Sequence, residues 1–229
     1  MSNEPIPVLR TGRRVHAPSL VVLVLGGGKD SSWARSRPWH LAGLRMWPFT
    51  FMLRRSGRDI SVQQLQYRFR GWNAPDRSPI EDARWALDRI HAEYPDVHVV
   101  VVGHSMGGRT AAALIDDPSV VGVEPAETTQ KIVGVVALAP WWPDGTEVDT
   151  LAADRALLVV HGTADRWTDP RTSRRATERA AARGVDARYL PVPGGHFMLR
   201  NPRVWSRATR DFVLGIAADA RADCIGEPS

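Results

Sequence analysis

Four short, unbroken apolar runs constrain this chain more than any other feature: residues 21–25, 97–102, 132–138 and 156–160. They are rich in Val, short for helices, and lack the polar alternation of a half-exposed strand. Strands of this kind are buried on both faces, the habit of parallel sheets covered by helices on each side. Residues 61–69 alternate more loosely through Val62, Leu65, Tyr67 and Phe69, and residues 188–192 form a shorter run. About six strands result, with a further short edge strand around Val8 and Leu9.

Helical signals fill the gaps between the runs. Ser78-Pro79-Ile80-Glu81 reads as a capping box with Pro at the first helical position, followed by Ala83, Leu87, Ile90 and Tyr94 at helical spacing. Asp169-Pro170 opens a second helix that ends at Gly184, and Asn201-Pro202 opens a third, with Trp205, Phe212, Val213 and Ile216 on one face. Two more helices are expected over 105–115 and 40–55. Strands alternating with helices imply right-handed crossovers, so the expected fold is α/β: an open, mostly parallel sheet of about six strands with helices on both faces. The 229 residues suit one domain at 20–220, preceded by an extension at 1–19 and followed by a polar tail at 221–229 expected to be disordered. Only a short stretch, about 141–154, separates the runs at 132–138 and 156–160, so no large cap domain is expected.

Composition excludes several classes. A single cysteine, Cys224, rules out a disulfide scaffold, and with scattered histidines it offers no metal-ligand cluster. No apolar stretch approaches the roughly 20 residues that cross a bilayer. Residues 1–9 lack a charged segment followed by an apolar one, so the expected location is cytoplasmic, with no membrane contact. The net charge of +5 is almost entirely arginine, since Lys29 and Lys131 are the only lysines. Arg pairs are scattered without interleaved aromatics, which argues against a nucleic-acid partner. Arg-rich, Lys-poor usage suits a high-GC bacterial genome.

Gly103-His104-Ser105-Met106-Gly107 carries the chemistry. It directly follows an apolar run and precedes a helical one. A sharp strand-to-helix turn leaves no room for side chains two residues either side of the serine, hence the glycines. Such a turn lifts the Ser105 hydroxyl clear of the sheet and turns the Met106 backbone N–H toward a developing oxyanion. Serine needs a base to become a nucleophile. His196, in Pro193-Gly194-Gly195-His196-Phe197 after the last short run, is the candidate; His161 ends a strand and reads as a packing or locally bonded residue, and His104 faces away if Ser105 faces out. The base in turn needs an orienting carboxylate. Asp165 lies just past the run at 156–160; Asp169 reads better as a helix cap, and Asp144 is a further possibility. A second oxyanion donor belongs in the loop after the first run, at Gly28 or, next to it, Gly27. No phosphate-loop pattern follows those glycines, and the chemistry needs no cofactor and no metal.

Together, Leu25-Gly26-Gly27-Gly28, Gly103-His104-Ser105-Met106-Gly107-Gly108, His161-Gly162-Thr163-Ala164-Asp165 and Gly194-Gly195-His196 resemble the α/β-hydrolase superfamily over about 21–216. Within the superfamily the chain resembles the compact, lidless members related to dienelactone hydrolase and small bacterial esterases. The resemblance implies a triad of Ser105, Asp165 and His196 and an oxyanion hole from Met106 and Gly28. It departs from the family at Gly26, which stands where many members carry His, and the first family strands are expected to be missing or reduced. The implied activity is a serine hydrolase acting on a small-molecule acyl substrate, a carboxylic ester or thioester, through an acyl-enzyme. An acyltransferase on the same fold and a non-catalytic ligand-binding protein are the alternatives. Trp39, Trp141 and Trp142 are candidate walls of the substrate pocket, with core packing as their other reading.

Overall fold

The structure is a computed structural model that describes residues 5–116 and 132–226. Its centre is a seven-stranded sheet. The strands are β1 (Val8–Thr11), β2 (Leu20–Leu25), β3 (Ile60–Gln66), β4 (His98–His104), β5 (Ile132–Leu138), β6 (Ala156–Gly162) and β7 (Asp186–Val192). Spatially they run β1-β3-β2-β4-β5-β6-β7. β2 to β7 are mutually parallel, and β1 pairs antiparallel with β3, Val8 opposite Gln66. The seventh strand is thus the short edge strand at Val8 and Leu9, and it draws part of the 1–19 extension into the sheet.

Among the described residues the helices are α1 (Leu41–Leu44), α2 (Trp47–Arg54), α3 (Ser78–Glu93), α4 (Met106–Asp116), α5 (Pro170–Ala182) and α6 (Pro202–Gly226). The two-residue period of the strands sorts their side chains between the two faces. Val21, Leu23, Val99, Val101, Leu157 and Val159 pack into one core with Ala83, Leu87, Ile90 and Ala176 of α3 and α5. Val22, Val24, Val100, Val102, Leu158 and Val160 pack into the other with Phe49, Leu53, Trp205 and Val213 of α2 and α6. An unbroken apolar run was required because each face has its own helical layer.

Local chemistry modifies three expected elements. The helix expected over 40–55 breaks into α1 and α2, because Pro48 has no N–H to continue the ladder and starts a new helix instead. The capping box at Ser78 does not form. Arg77 occupies the cap with φ 51°, and the Ser78 hydroxyl instead accepts from Asn73 Nδ2 at 3.2 Å. Glu81 pairs with Arg68. α6 runs on past Arg221 to Gly226, into the segment expected to be disordered, and 227–229 lie outside the described residues. Between β5 and β6 the chain makes no helix, and no cap domain is inserted there.

Candidate active site

In a parallel sheet every strand delivers its C-terminal loop to the same edge. Three of these loops meet at Ser105, His196 and Asp165. Ser105 sits between β4 and α4 with φ 55°, a left-handed backbone that a non-glycine residue adopts at a cost of about 1–3 kcal/mol. The turn holds because its polar groups are tied down. The Ser105 N–H donates to the Leu138 carbonyl at 3.0 Å, and the Ser105 carbonyl accepts from the N–H groups of Gly108 at 3.0 Å and Trp141 at 3.1 Å. The flanking glycines are steric necessities. A Cβ on Gly103 would fall on the Gly107 carbonyl, and one on Gly107 would lie 2.6 Å from the carbonyl oxygens of Leu25 and Gly26.

His196 lies in the loop after β7, half a sheet away in sequence. Its Nε2 is 3.0 Å from Ser105 Oγ and its Nδ1 is 2.8 Å from Asp165 Oδ2. The carboxylate can only accept, so Nδ1 carries the proton and Nε2 is left as the acceptor for the Ser105 hydroxyl. The His196 loop is anchored by two further contacts. The Ala164 N–H donates to the Gly194 carbonyl at 2.8 Å, and His104 Nε2 donates to the His196 carbonyl at 2.9 Å.

Asp165 follows β6, and its side chain is fully buried. Burial alone would raise its pKa. Hydrogen bonds from His161, His196 and the backbone N–H groups of Thr168 and Trp167 outweigh burial and hold it well below the usual carboxylate range. Oδ1 accepts from Trp167 N–H at 2.8 Å and Thr168 N–H at 3.1 Å; Oδ2 accepts from His196, from Thr168 Oγ1 at 2.9 Å and from His161 Nε2 at 3.1 Å. The other two acids considered are engaged elsewhere. Asp169 caps α5 by accepting from the Arg171 N–H, and Asp144 pairs with Arg109 at 3.3 Å.

His104 does not face solvent. It is buried beneath the site, with its ring 4.8 Å from that of His196. Because Nε2 donates to a carbonyl, Nδ1 is a bare lone pair, and it has no hydrogen-bond partner. Burial first, and then the neighbouring His196, hold His104 down at about 3, so the ring is neutral. Gly27 packs against it: a Cβ on Gly27 would lie 3.1 Å from His104 Nδ1 and 3.4 Å from Ser105 Cβ. Gly28, one residue on, lies against the Met106 side chain and the Arg70 carbonyl. Met106 opens α4, so its backbone N–H has no partner within the helix.

The three candidate pocket tryptophans have different fates. Trp39 lines a cleft of about 450 Å³ that reaches Gly26, Gly27 and Gly28. Trp142 is not a pocket wall: it is buried in the core, and its Nε1 donates to the Gly108 carbonyl at 3.3 Å. Trp141 also stays out of that cleft. Its ring meets Trp72 edge-on at 6.2 Å, and Arg109 stacks on both rings at 4.6–4.7 Å. What Trp141 brings to the site is its backbone N–H. His161 and Thr168 are partners of Asp165 that the motif reading did not assign. Their only trace in the sequence is a position four residues before and three residues after the acid.

Residues 21–220 match the alpha/beta hydrolase family. The chain belongs to that family. No curated protein matches the sequence. Solved α/β hydrolases share the fold at low identity. Thermogutta terrifontis esterase 2, phosphoramylated by tabun, is 18% identical with a TM-score of 0.65, over 88% of this chain and 84% of its own. The acetyl ester-xyloside bifunctional hydrolase from Caldicellulosiruptor lactoaceticus is 16% identical with a TM-score of 0.65, over 94% and 90%. Est1E from Butyrivibrio proteoclasticus is 13% identical with a TM-score of 0.63, over 93% and 94%.

Proposed function

We propose that this α/β hydrolase is a serine hydrolase that cleaves a small carboxylic ester or thioester through an acyl-enzyme. One observation carries the reading: the hydrogen-bonded relay from Ser105 Oγ through the His196 ring to Asp165, at 3.0 and 2.8 Å. Ser105 Oγ attacks the acyl carbon while His196 Nε2 takes its proton. The imidazolium formed is stabilised by Asp165, which is held ionised for that purpose. The tetrahedral oxyanion is received by the backbone N–H groups of Met106 and Gly28; one such donor is worth about 10²–10³ in rate. His196 then returns the proton to the leaving alcohol or thiol as the carbon–oxygen or carbon–sulfur bond breaks. Water, deprotonated by the same Nε2, attacks the acyl-enzyme and releases the acid with Ser105 restored.

The test is intact-mass measurement after incubation with a fluorophosphonate probe. Wild-type protein takes up a single adduct and hydrolyses a 4-nitrophenyl ester; Ser105→Ala takes up none and loses turnover. An unlabelled wild-type protein with its fold intact overturns the reading.

A further inference from the structure

The cleft that reaches Gly26–Gly28 has an unusual charge. Arg10, Lys29, Arg37 and Arg70 line it together with Trp39 and Trp47, and among its described lining residues there is no Asp or Glu. Among the described residues these cations are not spent on internal ion pairs. Among the described residues no carboxylate lies within 4.0 Å of the Lys29, Arg37 or Arg70 head groups, whereas neighbouring Arg68 is bound by both Glu81 and Asp82. The Arg10 guanidinium donates to the neutral Gln66 side chain at 3.0 Å, and Arg37 lies 5.8 Å from the centre of the Trp39 ring. Concentrated, uncompensated positive charge destabilises a fold unless something answers it, and it raises the local concentration of anions. His40, in the same cleft, is held below its usual range by burial and then by the charges of Arg70 and Arg37.

Strand order says which half of an ester would enter. His196 reaches Ser105 from the β5–β6–β7 side of β4. The leaving group must sit beside His196 Nε2 to collect its proton, so the acyl chain departs from Ser105 on the opposite side, over β2 and β3. That is where the cleft lies, walled by the loop after β2 and by residues 64–70 at the end of β3. We propose that the cleft receives an acyl chain ending in a carboxylate, making the preferred substrate the monoester of a dicarboxylic acid. Trp39 and Trp47 flank its methylene chain, and Arg37 and Arg70 bind the terminal carboxylate.

This inference rests on the serine-hydrolase reading, and the test separates the two. Mono-4-nitrophenyl adipate is compared with its methyl ester, which has the same chain and no charge. The expected kcat/KM for the acid is about tenfold that of the neutral ester at low ionic strength, the size of one good charge-assisted contact. The ratio falls toward one in Arg37→Gln and Arg70→Gln, and shrinks as salt screens the cleft. Arg37 is exposed, so its variant tests binding without endangering the fold. A labelled Ser105 with a ratio of one or less in the wild type overturns the anionic-acyl assignment and leaves the hydrolase standing. An unlabelled Ser105 with no turnover of either ester overturns both.

Discussion

At the scale of single residues, the site is governed by which nitrogen of each histidine carries a proton. His196 bears it on Nδ1, facing Asp165, and His104 on Nε2, facing the His196 carbonyl. His161 donates from Nε2 to Asp165 and accepts at Nδ1 from Ser173 Oγ, at 2.7 Å. Two of the three therefore point N–H groups at one carboxylate oxygen, which is why Asp165 stays ionised in a buried position. His104 carries a stability cost that depends on pH. Its folded-state value of about 3 lies below the unfolded value of 6.5, so between those two values the unfolded chain binds a proton that the folded one refuses. Stability consequently falls as pH drops through that window, by about 2 kcal/mol from this group between pH 7 and pH 5. His104→Gln keeps an N–H for the His196 carbonyl and removes the titration. Urea midpoints at pH 7 and pH 5 should differ less in the variant than in the wild type. The meeting of His196 and Asp165 with Ser105 was legible because each closes a Gly-containing loop after an apolar run. Thr168 was not, since a threonine three residues from an aspartate acquires its role only once the turn aims its hydroxyl at Oδ2.

At the scale of elements, the strand–Ser105–helix unit is the part of the chain that tolerates least. Gly107 lies inside α4, where replacing glycine by alanine ordinarily gains about 1 kcal/mol. Here the sign reverses, because the new Cβ would sit 2.6 Å from the carbonyls of Leu25 and Gly26. Gly107→Ala should lower the unfolding free energy by about 1–3 kcal/mol, measurable in urea, and should reduce turnover by pushing the turn away from β2. Elements that follow from a strong local signal came out where the pattern puts them. Asp169 caps α5, and Gly184, at φ 91°, follows its end. Elements went astray where one residue outvoted the periodicity, as Pro48 does in dividing the helix at 40–55. Trp142 illustrates the same limit: beside Trp141 and two prolines it reads as a loop residue, yet the loop folds it inward against α4.

At the scale of the whole molecule, the sheet order matters most. β4 stands centrally with the Ser105 turn at its end; the His196 and Asp165 loops approach from one side and the cationic cleft opens on the other. β1 closes the β3 edge with its four residues. β3 is almost wholly buried on both faces, so removing residues 1–11 would leave a strand edge with open backbone groups, a template for pairing with another chain. That truncation should lower the urea midpoint and give concentration-dependent light scattering. The apolar runs, their glycine punctuation and the Gly-His-Ser-Met-Gly turn were enough to determine a parallel, helix-covered sheet and to name Ser105, His196 and Asp165, because strand period and turn sterics act over a few residues. Only the tertiary structure decided that Trp142 is core, that His161 and Thr168 share Asp165 with His196, and that four scattered cations line one cleft. Those relations join residues as far apart as Arg10 and Arg70, and packing rather than local propensity brings them into contact.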